Sequence, residues 1–196
     1  MSADGAEGLG YTMSDARKLL EGSRRAHNDN AYDEAFSAFY GRIVAVLVRL
    51  LDSRARAEDV ASEVFWKAYR DSMDCTDVRF GGWLYRTATN LGIQDLRARV
   101  RRERYEQAAG EQAHRTAGSG TPLDDVLRAE QRARVRAVLA SLRQWQARIL
   151  ILRSSGLTYA ELAEALQIKA SSVGTMLIRA EAQFQKQYVR FSGREE

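Results

Sequence analysis

The chain is poor in the residues that fix a fold covalently or break it sharply. Of 196 residues one is a cysteine, Cys75, so no intrachain disulfide can form. One is a proline, Pro122, and no run of alternating Val, Ile and Thr occurs, which argues against sheets and for an all-α fold. The two histidines, His27 and His114, have no metal-ligand spacing around them, and Cys75 has no partner for nucleophilic or redox chemistry. Gly81-Gly82 is an isolated pair and not a phosphate-cradling loop. These absences predict no enzyme, no metal and no cofactor. No stretch approaches eighteen apolar residues and no signal-peptide core is evident, so a cytoplasmic protein without membrane insertion is expected.

What is present is charge, unevenly placed. The whole chain carries a net +4, with a pI of about 9.4. Residues 31–78 carry nine acids against six bases, a net of −3, whereas residues 79–104 carry seven arginines against Asp95 and Glu103, a net of +5. One stretch repels a polyanion and the next attracts it, as expected of a protein holding a protein partner on one face and nucleic acid on another.

Apolar periodicity divides the chain further. Residues 1–29 read as an extension with a short helix near 14–22. Residues 33–51 form an amphipathic helix with Phe36, Phe39, Tyr40, Ile43, Leu47 and Leu50 on a wide apolar face. A second helix is expected over 55–70, with Glu58 and Asp59 in its first turn and Val60, Val64, Phe65, Ala68 and Tyr69 inward. Residues 71–79 have no helical period and read as a loop. A third helix starts near Phe80, with Trp83, Leu84, Ala88, Leu91 and Leu96 inward and Tyr85 off that period. Trp83 is read as core before it is read as a base-stacking platform. The third helix ends in Arg97-Ala-Arg-Val-Arg-Arg-Glu-Arg104, where five arginines in eight residues suit phosphate contact. Residues 107–122 shift to Ala, Gly, Gln, Ser and Thr and predict a flexible linker. The expected architecture is two small helical domains, 30–106 and 123–192, joined by that linker.

The second domain carries the clearest local signal. Thr158 and Glu161 form an S/T-x-x-E capping box at a helix start. Tyr159, Leu162, Ala163 and Leu166 share a face; residues 167–170 break the pattern; a second helix is expected from Ser171 or Ser172, with Val173, Leu177, Ala180, Phe184 and Tyr188 apolar. That is a helix-turn-helix pattern, whose second helix can enter a major groove. An ordinary helical hairpin would share the pattern.

Taken together, these segments resemble a family. Ala57-Glu-Asp-Val-Ala-Ser-Glu-Val-Phe-Trp-Lys-Ala-Tyr-Arg70 resembles a helix of bacterial RNA polymerase sigma factors. Phe80-Gly-Gly-Trp-Leu-Tyr-Arg-Thr-Ala-Thr-Asn90 resembles their promoter-melting helix, F-x-x-W-L-x-x-x-A-x-N. With the helix-turn-helix after a linker, the layout is similar to the extracytoplasmic-function (ECF) class. The resemblance implies an alternative sigma factor that binds core RNA polymerase, reads −35 and −10 elements of promoter DNA and melts the duplex. It implies polymerase contact by Glu58, Asp59 and Glu63; −10 contact by Ser72, Arg79, Arg86, Asn90, Arg97, Arg99, Arg101 and Arg102; and −35 contact by Lys169, Ser171, Ser172, Thr175 and Arg179. It also implies an anti-sigma factor as regulator. No heptad is evident for the dimer a plain helix-turn-helix repressor would need, so a monomer is expected when free.

The sequence departs from the family's pattern in the second domain. Arg143 and Ala147 stand where the family has a proline and an arginine, and Gly174, Met176 and Glu181 stand at three usually basic positions. The alternative reading is a sigma-like decoy that sequesters an anti-sigma factor without binding DNA.

Overall fold

The computed structural model describes residues 13–108 and 123–192, which form seven helices: α1 Met13–Leu51, α2 Arg54–Arg70, α3 Phe80–Ala108, α4 Leu123–Ser141, α5 Gln144–Ser154, α6 Tyr159–Leu166 and α7 Ala170–Ser192. No strand occurs among the described residues. The all-α expectation is met. Most of the expected linker, residues 109–122, lies outside the described residues, as do residues 1–12, and α3 already extends through 107–108.

The first three helices pack as a bundle. Ile43, Leu47 and Leu50 of α1, Val60, Val64 and Phe65 of α2 and Leu84, Ile93 and Leu96 of α3 are its buried centre. Gly92 lets α1 and α3 close on one another: a Cβ there would sit 2.7 and 2.8 Å from methyl carbons of Leu50 and Leu47. Tyr32 pins α1 to α2 by donating its hydroxyl to the Phe65 carbonyl at 2.7 Å, and burial pushes its pKa up to about 12, so it remains a donor. Arg56 of α2 reaches Asp95 of α3 at 2.6 Å.

Several sequence expectations shift. α1 is one helix from Met13, where a separate short helix near 14–22 was expected; Gly22 lies inside it and does not break it. α2 starts at Arg54 with Ser53 as its N-cap, accepting from the Arg56 N–H. Glu58 and Asp59 therefore sit in the second turn and not the first. Tyr69 is not an inner residue: it is 47 % exposed, because it lies beside Trp66 at the rim. Tyr85 goes the other way, at 2 % exposed. It is covered by Phe39 (centroids 6.4 Å apart) and by the Arg42 guanidinium, 5.5 Å from the ring centroid.

The second half is built on α5. It is buried on more than one side through Ala147, Ile149, Ile151 and Leu152; α6 and α7 pack against it and α4 packs against α7, around a centre that includes Leu162 and Val173. α5 begins at Gln144, where the Gln146 side chain accepts from the Arg143 N–H at 3.1 Å and caps the first turn. Gly156 at φ +90° ends the following turn. The capping box is present: Thr158 accepts from the Glu161 N–H at 3.3 Å and Glu161 accepts from the Thr158 N–H at 2.8 Å.

Gln167 in the left-handed region (φ 57°) closes α6, with the Gln167 and Ile168 N–H groups bonded to the carbonyls of Glu164 and Ala163. α7 starts at Ala170, so Ser171 and Ser172 are first-turn residues and not N-caps. Tyr159 is exposed, with the Arg153 guanidinium over its ring, and Ala165 takes a buried place instead. Leu127 of α4 is exposed.

The two halves touch. α3 packs against α4, α5 and α6, and α1 meets α5, so one buried apolar cluster runs through both.

Candidate nucleic-acid interface

Three surfaces hold the residues singled out by the sequence. The first is the outer face of α2. Asp59 and Glu63 are exposed, and Glu58 is half-exposed with Arg54 at 2.8 Å. Trp66 follows Glu63 by three residues, is 62 % exposed and stacks on Tyr69 with centroids 6.1 Å apart. Tyr32 meets Tyr69 edge-on at 5.3 Å. An exposed aromatic cluster beside acids has the composition of a protein-docking surface, since large aromatics dominate such contacts. Trp66 was missed from sequence. The signal for it was its place between the inward positions Phe65 and Ala68.

The second surface is the loop 71–79 with α3. Ser72 is exposed at φ 48°, an unfavourable region for a non-glycine residue that here terminates α2. Asp74 bonds the Thr76 N–H and hydroxyl at 2.9 and 2.6 Å. Arg79 is exposed but paired with Asp77 through 2.7 and 3.1 Å contacts, and that guanidinium holds the Asp77 carboxyl down at about 2. Phe80 is buried, with the half-buried Trp83 near-parallel at 6.4 Å. Trp83 packs against the core, in line with its reading as a core residue.

The polar residues along α3 divide in two. Asn90 and Arg97 contact the second half: the Asn90 carbonyl oxygen accepts from Gln144 at 2.8 Å and from Arg148. Arg97 donates to the carbonyls of Ala140 at 3.1 Å and Leu142 at 2.7 Å, capping the end of α4. Arg86 is half-buried close enough to Arg148 to lower the pKa of that guanidinium, a shift caused first by burial. Arg99 donates to the Leu51 carbonyl at 3.1 Å and pairs with Glu103. Arg101 and Arg102 are exposed. Arg97, Arg101, Arg104 and Tyr105 line a cleft of about 460 Å³ against α4.

The third surface is α7 with the turn before it. Lys169, Ser171, Thr175 and Arg179 are exposed and Ser172 half-buried, while Val173, Leu177 and Ala180 anchor the opposite face. The helix thus presents a polar edge at spacings of four residues, as a groove-entering helix requires. Among the described residues none crowds Gly174: a Cβ there would meet Tyr159 at an ordinary 3.9 Å.

Among the described residues no group of three His, Cys, Asp or Glu side chains gathers as metal ligands would, and no helix is long and apolar enough to cross a membrane. Burial, then Asp74, push the Cys75 thiol up, the opposite of an activated thiolate.

A helical bundle with an acidic outer helix, an arginine-bearing helix and a helix-turn-helix is the arrangement of a transcription-initiation protein. Residues 35–102 match Sigma-70 region 2. The chain is 30 % identical to the RNA polymerase sigma-H factor of Pseudomonas aeruginosa over 86 % of this chain and 91 % of that protein. It is 28 % identical to the ECF RNA polymerase sigma factor BldN of Streptomyces coelicolor over 85 % of this chain and 64 % of that one. With SigE of Mycolicibacterium smegmatis the identity is 26 % over 83 % of this chain and 63 % of the relative, so the chain spans just under two thirds of these last two proteins. The chain belongs to the ECF family of RNA polymerase sigma factors. As such it directs transcription initiation with core RNA polymerase at promoters and is not an enzyme.

Proposed function

We propose that the three surfaces divide the work of initiation. The acids Glu58, Asp59 and Glu63, with Trp66 and Tyr69 beside them, dock on core polymerase. Ser72 and Arg79 of the loop and Arg86 and Asn90 of α3 hold the unstacked −10 strand, and Arg97, Arg99, Arg101 and Arg102 hold phosphates of the adjoining duplex. Lys169, Ser171, Ser172, Thr175 and Arg179 present the −35 contacts from α7 and its turn.

The observation that carries this reading is the alignment with one sigma factor through both halves, which brings all three surfaces into one chain. The free protein is a cytoplasmic monomer of two units, 30–106 and 123–192, held in reserve by an anti-sigma factor that covers the polymerase-binding face. Few basic residues line α7, so the −35 contact contributes modestly and polymerase supplies most of the affinity.

The test is run-off transcription with purified core polymerase over genomic fragments. Discrete transcripts that need this protein are expected. Tight polymerase binding without transcripts would assign the −35 failure to Gly174, Met176 and Glu181, and absence of polymerase binding would favour a decoy.

A further inference from the structure

We propose that Tyr85, Arg42 and Arg49 form a binding site for one inorganic phosphate ion, in a small cavity bordered by α1, α3 and the turn joining α5 to α6. The site uses none of the residues assigned to polymerase or promoter contact.

Tyr85 supplies the buried donor. The residue is 2 % exposed, yet among the described residues its hydroxyl has no hydrogen-bond partner. Tyr32, which is less buried, has one in the Phe65 carbonyl. A buried hydroxyl left unserved is costly, so native proteins give nearly all such groups a partner in protein, water or ligand. A phenylalanine would fill the same place without that cost. Burial pushes the Tyr85 pKa up, with the Arg42 charge opposing, so the hydroxyl keeps its proton at neutral pH. It lies close enough to Arg42 and Glu161 to feel both charges.

Tyr85 borders a cavity of about 130 Å³, which Arg42, Val46 and Arg49 of α1 and Ser155 and Leu157 beyond α5 also line. One water occupies ~30 Å³ in the liquid, and pockets for drug-sized ligands run from about 300 Å³ upwards, so the cavity suits a small ion and not a cofactor.

The charged groups that line it are both cations. Arg42 gives one Nη to Glu161 at 2.7 Å, which leaves further N–H groups of a guanidinium with five. Its charged carbon stands 5.5 Å from the centre of the Tyr85 ring. Arg49 donates to the Ser154 carbonyl, which is uncharged, so that contact leaves its charge uncompensated. The Ser155 hydroxyl is already spent on the Ile151 carbonyl at 2.8 Å. Val46 and Leu157 are buried and give an apolar wall. Two guanidinia and one neutral hydroxyl therefore converge, a donor set that repels cations and suits an anion with several acceptor oxygens. A free phosphate brings four oxygens. A phosphodiester in a nucleic acid carries sugars on two of them, which so small a cavity does not admit.

Equilibrium dialysis of the free full-length protein against radiolabelled inorganic phosphate, with ionic strength held constant by chloride, tests the site. Expected is one phosphate per chain with a Kd of about 1 mM or tighter. Tyr85→Phe keeps the ring and removes the donor, and should weaken binding about tenfold or more, as loss of a hydrogen bond to a charged group does. Arg49→Gln should weaken it comparably, and Arg101→Ala/Arg102→Ala should not change it. The two single variants lie on different helices, so misfolding of one leaves the other as the test. Thermal unfolding gives a second readout. Without phosphate Tyr85→Phe should be at least as stable as wild type, and added phosphate should raise the Tm of wild type alone.

Absence of saturable phosphate binding by the wild type would overturn the site and leave the hydroxyl to water. Equal affinity of wild type and Tyr85→Phe would overturn it as well. So would loss of binding in Arg101→Ala/Arg102→Ala, which would place the ion at the far end of α3.

Discussion

α2 and α3 run side by side in one bundle, yet they present their functional residues in opposite ways. On α2 the acids and Trp66 stand in solvent. On α3, Asn90 and Arg97 are engaged by the second half and Arg86 is half-buried. The difference lies in the neighbours. α2 has partners on its inner side, α1 and α3, whereas α3 is also flanked by α4, α5 and α6. The candidate polymerase contacts on α2 are open to solvent, whereas two of the proposed −10 residues on α3 are hydrogen-bonded to the second half.

The largest effect is expected on α2. Replacing Trp66 by Ala together with Glu58→Lys, Asp59→Lys and Glu63→Lys should weaken binding to core polymerase by well over about thirtyfold, since an exposed aromatic anchor alone carries ~2 kcal/mol. Fluorescence titration measures it, and unchanged affinity would remove α2 from the polymerase interface.

The arginines sharpen the contrast within α3. Arg101→Ala/Arg102→Ala should lower the slope of log affinity against log salt for duplex promoter DNA by roughly 2, because two phosphate contacts are lost. The fold should stay intact, as both side chains are exposed. Arg97→Ala should also leave the Ala140 and Leu142 carbonyls without their donor and lower the thermal stability of the free protein, whereas Arg101→Ala should not. Equal thermal stability of the two variants would erase the distinction.

A smaller effect follows from Glu161. The Thr158 N–H, then Arg42, hold its carboxyl below the usual range. A depressed folded-state pKa means that its stabilisation is fully present above the unfolded value of about 4.3 and is lost as pH falls through the folded value. Both the start of α6 and its tie to Arg42 should loosen below about pH 4, measured by amide exchange of residues 158–166. Glu161→Gln should blunt that acid loosening. The smallest change is Gly174→Ala, which should stabilise α7 by up to ~1 kcal/mol in thermal unfolding, since no described residue crowds the glycine.

Much of this was readable in the chain because the signals were local. The capping box at Thr158, the break after Leu166, the loop 71–79 and the inner face of α7 each depend on residues within a few positions of one another. Tyr85 was misread because α3 is packed on more than one side, which blurs a single apolar stripe. Tyr69 was misread because a tyrosine on the apolar period can end at a rim with its ring exposed. The start of α5 rests on a glutamine cap, which has no apolar signature. Contacts such as Asn90 with Gln144 and Gly82 under α6 join residues more than fifty positions apart. No periodicity reports them, so the surroundings of the candidate −10 residues were not legible.

The most direct measurement is permanganate reactivity of thymines at the −10 element of a promoter bound by holoenzyme, with the wild-type protein and with Asn90→Ala. Reactive thymines with wild type and strongly reduced reactivity with the variant, at equal occupancy, are predicted. Equal reactivity for both proteins would contradict the assignment of DNA opening to Asn90 and its edge of α3.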